Sequence, residues 1–166
     1  MDGRLMSLAG ENAEIRAAIV VRRFYMSDIP GGVAILKESP EASMWSEESL
    51  SESAAQGIAW IAELNGGLAG ILVGRIAADE FEILNMAVTR QFRRRGVATH
   101  LVRVATQEAQ AAGTTRTHLE VRASNLGGIA FYTQLGFRVC GQRPGYYRDP
   151  ADDALLMVLH KNENLQ

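Results

Sequence analysis

A single domain of mixed α and β type is predicted by three features of the 166-residue chain. Short β-branched or alternating apolar runs recur along it, at 18–24, 58–64, 68–76, 81–88, 117–121, 137–141 and 154–160. Segments with helix-start signals or helical spacing stand between them. Turn residues punctuate the junctions, and there is no internal repeat and no linker. Hydrophobic residues make up 47% and charged residues 22%, the balance of a globular protein long enough to bury a core. The formal net charge of −2 excludes a protein that grips nucleic acid through overall basicity. The one cysteine, Cys140, allows neither an intrachain disulfide nor a cysteine zinc cluster. His100, His118 and His160 are scattered, so no metal is expected. No apolar run approaches the roughly 20 residues that span a bilayer. The N-terminus lacks the basic-then-apolar order of a secretory signal. The expectation is a soluble cytoplasmic domain, a monomer or weak dimer, with no membrane partner and no direct nucleic-acid partner.

The elements follow in order. Residues 1–17 show no strong period and read as a poorly ordered or weakly helical extension ahead of the domain at 18–160, and 161–166 read as a tail. Ala18–Phe24 is a β-branched strand. Ser27-Asp28-Ile29-Pro30 starts a helix, with a capping side chain and Pro in the first turn, that runs to about Glu38. Ser46 followed by Glu47 and Glu48 starts another, with acids at the positive end of its dipole. Asn65-Gly66-Gly67 between two apolar runs is a hairpin signal, and a second turn over Ala77–Glu80 leads into Phe81–Val88. Val97, Leu101, Val104, Ala105 and Ala109 recur at helical spacing before Gly113. A strand over Thr117–Val121, a short helix over Leu126–Leu135 closed by Gly136, and a strand over Phe137–Gly141 come next. Residues 142–153, with Pro144, Gly145 and Pro150, read as a polar loop before the last strand, Ala154–His160.

The turn Thr89–Gly96 joins a strand to the longest helix. A helix start offers unpaired N–H groups and the positive dipole end, and Gly96 lets a ligand approach the backbone. Arg93, Arg94 and Arg95 put charge at its rim. Of the 17 basic residues, 15 are Arg and only Lys37 and Lys161 are Lys. That bias has a bland cause in base composition, so the placement of three consecutive arginines against a helix start is the informative part. A solvated basic turn and an RNA-binding patch are the alternatives for such a string alone. The strand–turn–helix setting favours a pyrophosphate cradle.

Arg93-x-x-Gly96-x-Ala98 resembles the [Q/R]-x-x-G-x-[G/A] signature of the GCN5-related N-acetyltransferases (GNAT), and the order of elements over residues 18–160 agrees with that family. Leu119-Glu120-Val121-Arg122-Ala123-Ser124-Asn125, then Ala130-Phe131-Tyr132 and Leu135-Gly136-Phe137, resembles the corresponding stretch of RimI-type N-terminal protein acetyltransferases. Arg143-Pro144-Gly145-Tyr146-Tyr147 and Asp152-Asp153-Ala154 with Met157 resemble that subfamily's ending, and Pro40 with Met44-Trp45-Ser46 is similar to its early aromatic segment. The departures are Ala98 at the second signature glycine, and Gly127-Gly128 opening the helix after Asn125. The resemblance implies the GNAT fold, a mostly antiparallel twisted sheet of about seven strands flanked by about four helices.

It also implies transfer of acetyl from acetyl-CoA to an amine. Val97, Ala98 and Thr99 would complete a pyrophosphate site with Arg93–Gly96. Met86, Ala87 and Val88 would bind the acetyl and pantetheine parts through backbone groups, and Asn125 would contact the coenzyme. By the same resemblance Glu120 is the general base and Tyr132 the general acid. Pattern alone leaves alternatives: Glu120 as a solvent-facing strand carboxylate, Tyr132 as core, Asn125 as a helix cap. Trp45, Tyr146 and Tyr147 are candidates for holding the acceptor, against a reading of the tyrosines as an exposed pair. His118 alternates with Glu120 and is a plain strand residue or lines the same cleft. Cys140 reads as a buried structural thiol. The acidic stretch Glu38–Glu52 is a solvated helix face or an attractor of a basic peptide.

The implied acceptor is a protein N-terminus, foremost the N-terminal alanine of a small-subunit ribosomal protein. The alternatives are a small-molecule amine or a lysine side chain as acceptor, and a non-catalytic CoA-binding interaction module.

Overall fold

In a computed structural model of the chain, residues 19–40, 42 and 45–161 are described. The extension expected over 1–17 and most of the tail expected over 161–166 lie outside them. The strands are β1 (Ile19–Arg23), β2 (Ala59–Leu64), β3 (Gly67–Ala77), β4 (Glu80–Val88), β5 (Arg116–Arg122), β6 (Arg138–Arg148) and β7 (Ala151–His160). The helices are α1 (Ile29–Lys37), α2 (Glu47–Ala55), α3 (Val97–Ala111) and α4 (Leu126–Gln134). Strand order is β1-β2-β3-β4-β5-β7-β6, and the recorded ladders are antiparallel except β4 with β5. The mixed α/β class and the mostly antiparallel seven-stranded sheet therefore hold.

By contacts the chain falls into two compact units: one reaches Val73 and resumes over Asn85–Val104, the other spans Gly74–Leu84 and continues from Ala105. In the first unit, β2 and β3 meet across Asn65 and Gly66, whose φ values are 54° and 80°. Positive φ at both central positions suits the right-handed twist of a two-residue hairpin, which explains Asn-Gly there. Ser46 caps α2 by accepting from the Ser49 N–H at 3.1 Å. Phe24, Ile35, Leu36, Leu50, Ile61, Ile71, Val73 and Ala87 form the core of this unit.

In the second unit β5 alternates strictly: Thr117, Leu119 and Val121 are buried, while His118, Glu120 and Arg122 take the other face. Phe81, Phe137, Ala154, Met157 and Leu159 are buried in this unit as well. Two expectations are corrected here. Residues 142–153 are mostly strand: β6 pairs with β7 through Gln142↔Leu155, Arg143↔Ala154, Tyr147↔Asp152 and Arg148↔Ala151. The turn residues Pro144 and Gly145 sit inside a register shift between Arg143 and Tyr147, so an edge-strand bulge absorbs the proline that would interrupt a regular ladder. Cys140 is exposed and not a core thiol. It is the extra residue of a second shift, between Val139 and Gly141, on a strand that closes the sheet.

Candidate functional site

The Arg93–Gly96 turn belongs to the first unit. Arg94 has φ +62° and Gly96 φ +88°, so the chain winds through left-handed conformations into α3. Gly96 suits this because it lacks the Cβ that penalises such a φ. The carbonyl of Gly96 accepts from the His100 N–H at 3.1 Å and contacts His100 Nδ1 at 2.9 Å. Among the described residues the amides of Val97, Ala98 and Thr99 have no backbone acceptor. No acidic residue occupies the first turn. Three donors at a positive helix end with no competing carboxylate fit an anion such as a diphosphate.

The three arginines differ in placement. Arg93 turns inward: its Nε donates to the Val88 carbonyl at 3.1 Å and one terminal N–H to Ser39 Oγ at 3.3 Å. Arg94 and Arg95 are exposed, and Arg95 lies 6.0 Å from the centre of the Phe92 ring. Just upstream, Ala87 is buried while Met86 and Val88 are half-buried, and the Thr89 N–H bonds the Ala69 carbonyl at 2.9 Å. Trp45 packs against the core cluster of this unit, which supplies a packing reason for it whatever else it does.

Glu120 lies in the second unit and lines a cavity of about 280 Å³ together with Arg75, Glu80, Glu82, His118 and Arg143. Its side chain is 19% exposed, so it does not face open solvent. Arg143 Nη1 stands 3.1 Å from Glu120 Oε1. The same carboxylate holds the Tyr146 phenol above its ordinary value by favouring the neutral form. The remaining charges of the cavity are also paired. Arg75 bonds Glu82 and Arg116 reaches Glu80 at 2.6 Å, while His118 Nε2 stands 3.3 Å from Glu80 Oε2 without a hydrogen-bond partner among the described residues.

Tyr132 is buried, with its ring edge-on to Phe131 at 5.0 Å and to Phe137 at 5.5 Å. Burial pushes its phenol well above the usual value, which keeps it a proton donor at neutral pH. Asn125 caps α4: its Oδ1 accepts from the Gly128 N–H at 2.9 Å. A Cβ on Gly128 would stand 2.7 Å from Asn125 Nδ2, so the glycine that lowers helix propensity is what admits the cap. Tyr146 and Tyr147 stack edge-on at 5.1 Å, and the Arg122 guanidinium lies 4.0 Å over the Tyr147 ring.

His118 thus lines the cavity with Glu120, as one of its two readings requires. Sequence reasoning missed Arg143 as a partner of Glu120. The available signal was its place three and four residues before the tyrosine pair. Among the described residues no group of three or more His, Cys, Asp or Glu side chains is placed to hold a metal, and no helix is long and apolar enough to cross a membrane.

Comparison with known proteins gives consistent results. The model of the acetyltransferase (GNAT) family matches residues 21–137. The ribosomal protein bS18-alanine N-acetyltransferase of Escherichia coli (strain K12) is 31% identical over 138 residues, 80% of this chain and 91% of that protein. The crystal structure of the Escherichia coli ribosomal-protein-S18-alanine N-acetyltransferase superposes with a TM-score of 0.77 at 29% identity, covering 86% of this chain and 93% of that one. Ard1 from Thermoplasma volcanium gives 0.79 at 26% identity, covering 86% and 97%.

Proposed function

The chain belongs to the acetyltransferase (GNAT) family and is an acyltransferase with an N-acetyltransferase role, and from that premise we propose that it moves acetyl from acetyl-CoA to the N-terminal α-amine of a protein, foremost the N-terminal alanine of a small-subunit ribosomal protein. The observation that carries this reading is the 31% identity to a ribosomal protein bS18-alanine N-acetyltransferase over 91% of that enzyme.

The donor is held by the start of α3. Its pyrophosphate accepts from the Val97, Ala98 and Thr99 amides, with Gly96 leaving the approach open and Arg94 and Arg95 supplying charge. Arg93 serves the same turn from behind, through Val88 and Ser39. Backbone groups of Met86, Ala87 and Val88 receive the pantetheine and acetyl parts, and Asn125 holds the start of α4 for its coenzyme contact. The cavity with Glu120 receives the acceptor, with Tyr146 and Tyr147 flanking it.

Glu120 takes, directly or through a water, the proton that the acceptor amine sheds as it attacks. The nitrogen lone pair of that amine attacks the thioester carbonyl carbon. The C–N bond forms and the C–S bond breaks, leaving an amide and a thiolate. Tyr132 donates a hydrogen bond to that sulfur. A phenol at ~10 is already a weaker acid than a thiol at ~8.5 and burial raises it further, so stabilising the thiolate by hydrogen bonding is easier than handing over the proton.

The test is incubation with acetyl-CoA and an Ala-starting peptide that copies the N-terminus of that ribosomal protein, for the wild type and Glu120→Gln. The expectation is acetylation at the α-amine. In the variant, kcat should fall about 10²-fold or more while coenzyme affinity is unchanged. Transfer only to lysine side chains or small amines refutes the acceptor assignment. A wild type that binds coenzyme without turnover points to an interaction module.

A further inference from the structure

We propose that Arg143 is a specificity-determining residue that admits acceptors arriving as neutral amines and so favours a chain's α-amine over a lysine side chain. This rests on Glu120 being the base. Arg143 holds a permanent charge 3.1 Å from the Glu120 carboxylate. An acceptor nitrogen that reaches Glu120 as an ammonium must therefore approach a second cation. The approach runs through the Glu120 end of this pair, whose side chain is 19% exposed against 54% for Arg143.

The other charged groups facing the cavity are engaged elsewhere. From β3 and β4, Arg75 bonds Glu82. Glu80 of β4 is met by Arg116 and His118 of β5. From β6, Tyr146 is a neutral phenol that the Glu120 carboxylate holds above its ordinary value. The pairing partner of Glu120 on β7 is Leu156, which is apolar. Among these groups Arg143 is the cation that sets the field at the base.

Its position is built into the backbone. Arg143 is the last residue of the β6–β7 ladder before the bulge, paired with Ala154. Asp153 clamps the bulge on both sides, accepting from Gln142 Nε2 and from the Gly145 N–H at 2.7 Å each. The Tyr146 ring lies 5.4 Å from the Arg143 guanidinium. The cation is therefore in place before any acceptor arrives.

Neutral-amine selection has a calculable reach. An α-amine with pKa ~8 is about one quarter neutral at pH 7.5, whereas a lysine with pKa ~10.4 is neutral to about one part in 800. A site that rejects ammonium thus prefers the α-amine by about 200-fold before any contact with the peptide. A site that accepts ammonium beside Glu120 forfeits much of that factor.

The test compares two acceptors, an Ala-starting peptide without lysine and an N-terminally blocked peptide with one lysine. Each is measured across pH with the wild type, Arg143→Gln and Arg143→Lys. The Arg143 side chain is 54% exposed, so the fold tolerates its removal. In Arg143→Gln the α-to-lysine ratio of kcat/KM should fall about tenfold or more, because transfer to lysine rises. The acid limb of the α-amine profile should also move to lower pH. Arg143→Lys should restore both. Equal losses on the two acceptors, or an unchanged ratio and acid limb, overturn the inference while leaving the N-terminal assignment standing. A wild type that does not acetylate the α-amine overturns both.

Discussion

Gly96 offers the sharpest separation between a conformational and a chemical role for the turn before α3. Its φ is +88°, a region where a residue with a Cβ loses about 1–2 kcal/mol. Among the described residues a Cβ built there meets nothing closer than His100 Nδ1 at 3.8 Å, so alanine fits and its cost is conformational alone. For a chain of this size that cost corresponds to a melting temperature lower by about 2–8 °C. Gly96→Glu carries the same conformational cost and adds a carboxylate at a helix start that is proposed to hold a diphosphate. Two unit charges about 4–6 Å apart repel by about 3–4 kcal/mol at an effective dielectric constant near 20. That repulsion weakens coenzyme binding by about 10²- to 10³-fold beyond the alanine variant. The assay is calorimetric titration of coenzyme A into the wild type and both variants, with thermal denaturation in parallel. Comparing Glu with Ala cancels the shared backbone term and leaves the electrostatic one. If Gly96→Glu binds coenzyme A as tightly as Gly96→Ala, the phosphate does not sit at this turn.

Three further outcomes are expected. Tyr132→Phe keeps the ring between Phe131 and Phe137, so stability and coenzyme affinity should hold while kcat falls about 10²-fold or more in steady-state assays; an unchanged kcat removes Tyr132 from the reaction. Gly128→Ala puts a Cβ 2.7 Å from Asn125 Nδ2 and should displace the cap, costing about 1 kcal/mol in chemical denaturation, whereas Gly127→Ala, with nothing nearer than 4.0 Å, should be neutral or stabilising. The bonds from Arg22 hold the Asp28 carboxyl below its ordinary value, so the ionised form stabilises the fold above about pH 4 and that contribution fades as pH falls through the lowered value. Denaturation midpoints measured downward from pH 5 should therefore drop less steeply in Asp28→Asn than in the wild type; parallel slopes would show that this pair does not set acid stability.

Much of the fold is legible because its signals are local. Asn65-Gly66 demands positive φ, and it takes it. Ser46 is followed three residues later by the amide it caps. Gly113 and Gly136 end α3 and α4 in left-handed conformations. What local signals misassign is β6. Pro144 and Gly145 carry loop chemistry, and neither announces that the chain on both sides is held by β7. Edge-strand bulges defeat a local reading because the tolerance for proline comes from the sheet edge, a property of the whole topology. Cys140 fails for the same reason. Its apolar neighbours suggest a core strand, and the register shift at Val139/Gly141 takes it out of alternation.

The candidate site divides along the same line. Strict alternation in Arg116–Arg122 settles which side chains share a face with Glu120, but it fits a solvent-facing carboxylate equally well. What distinguishes a base from a surface charge is the company it keeps, and here that company comes from a distant segment. Arg143 meets Glu120 from the last ladder pair before the bulge and Tyr146 lies within the bulge, while Asp153 accepts from the Gln142 side chain and the Gly145 N–H on either side of Arg143. A regular β6 would carry residues 144–146 on with the alternation of a flat strand. The irregularity that hides this strand from sequence reasoning is therefore the device that gives the carboxylate its chemical setting. Straightening it, for instance by deleting Pro144, should alter acceptor choice before it alters coenzyme affinity, since Gly96 and the open amides of α3 owe nothing to β6.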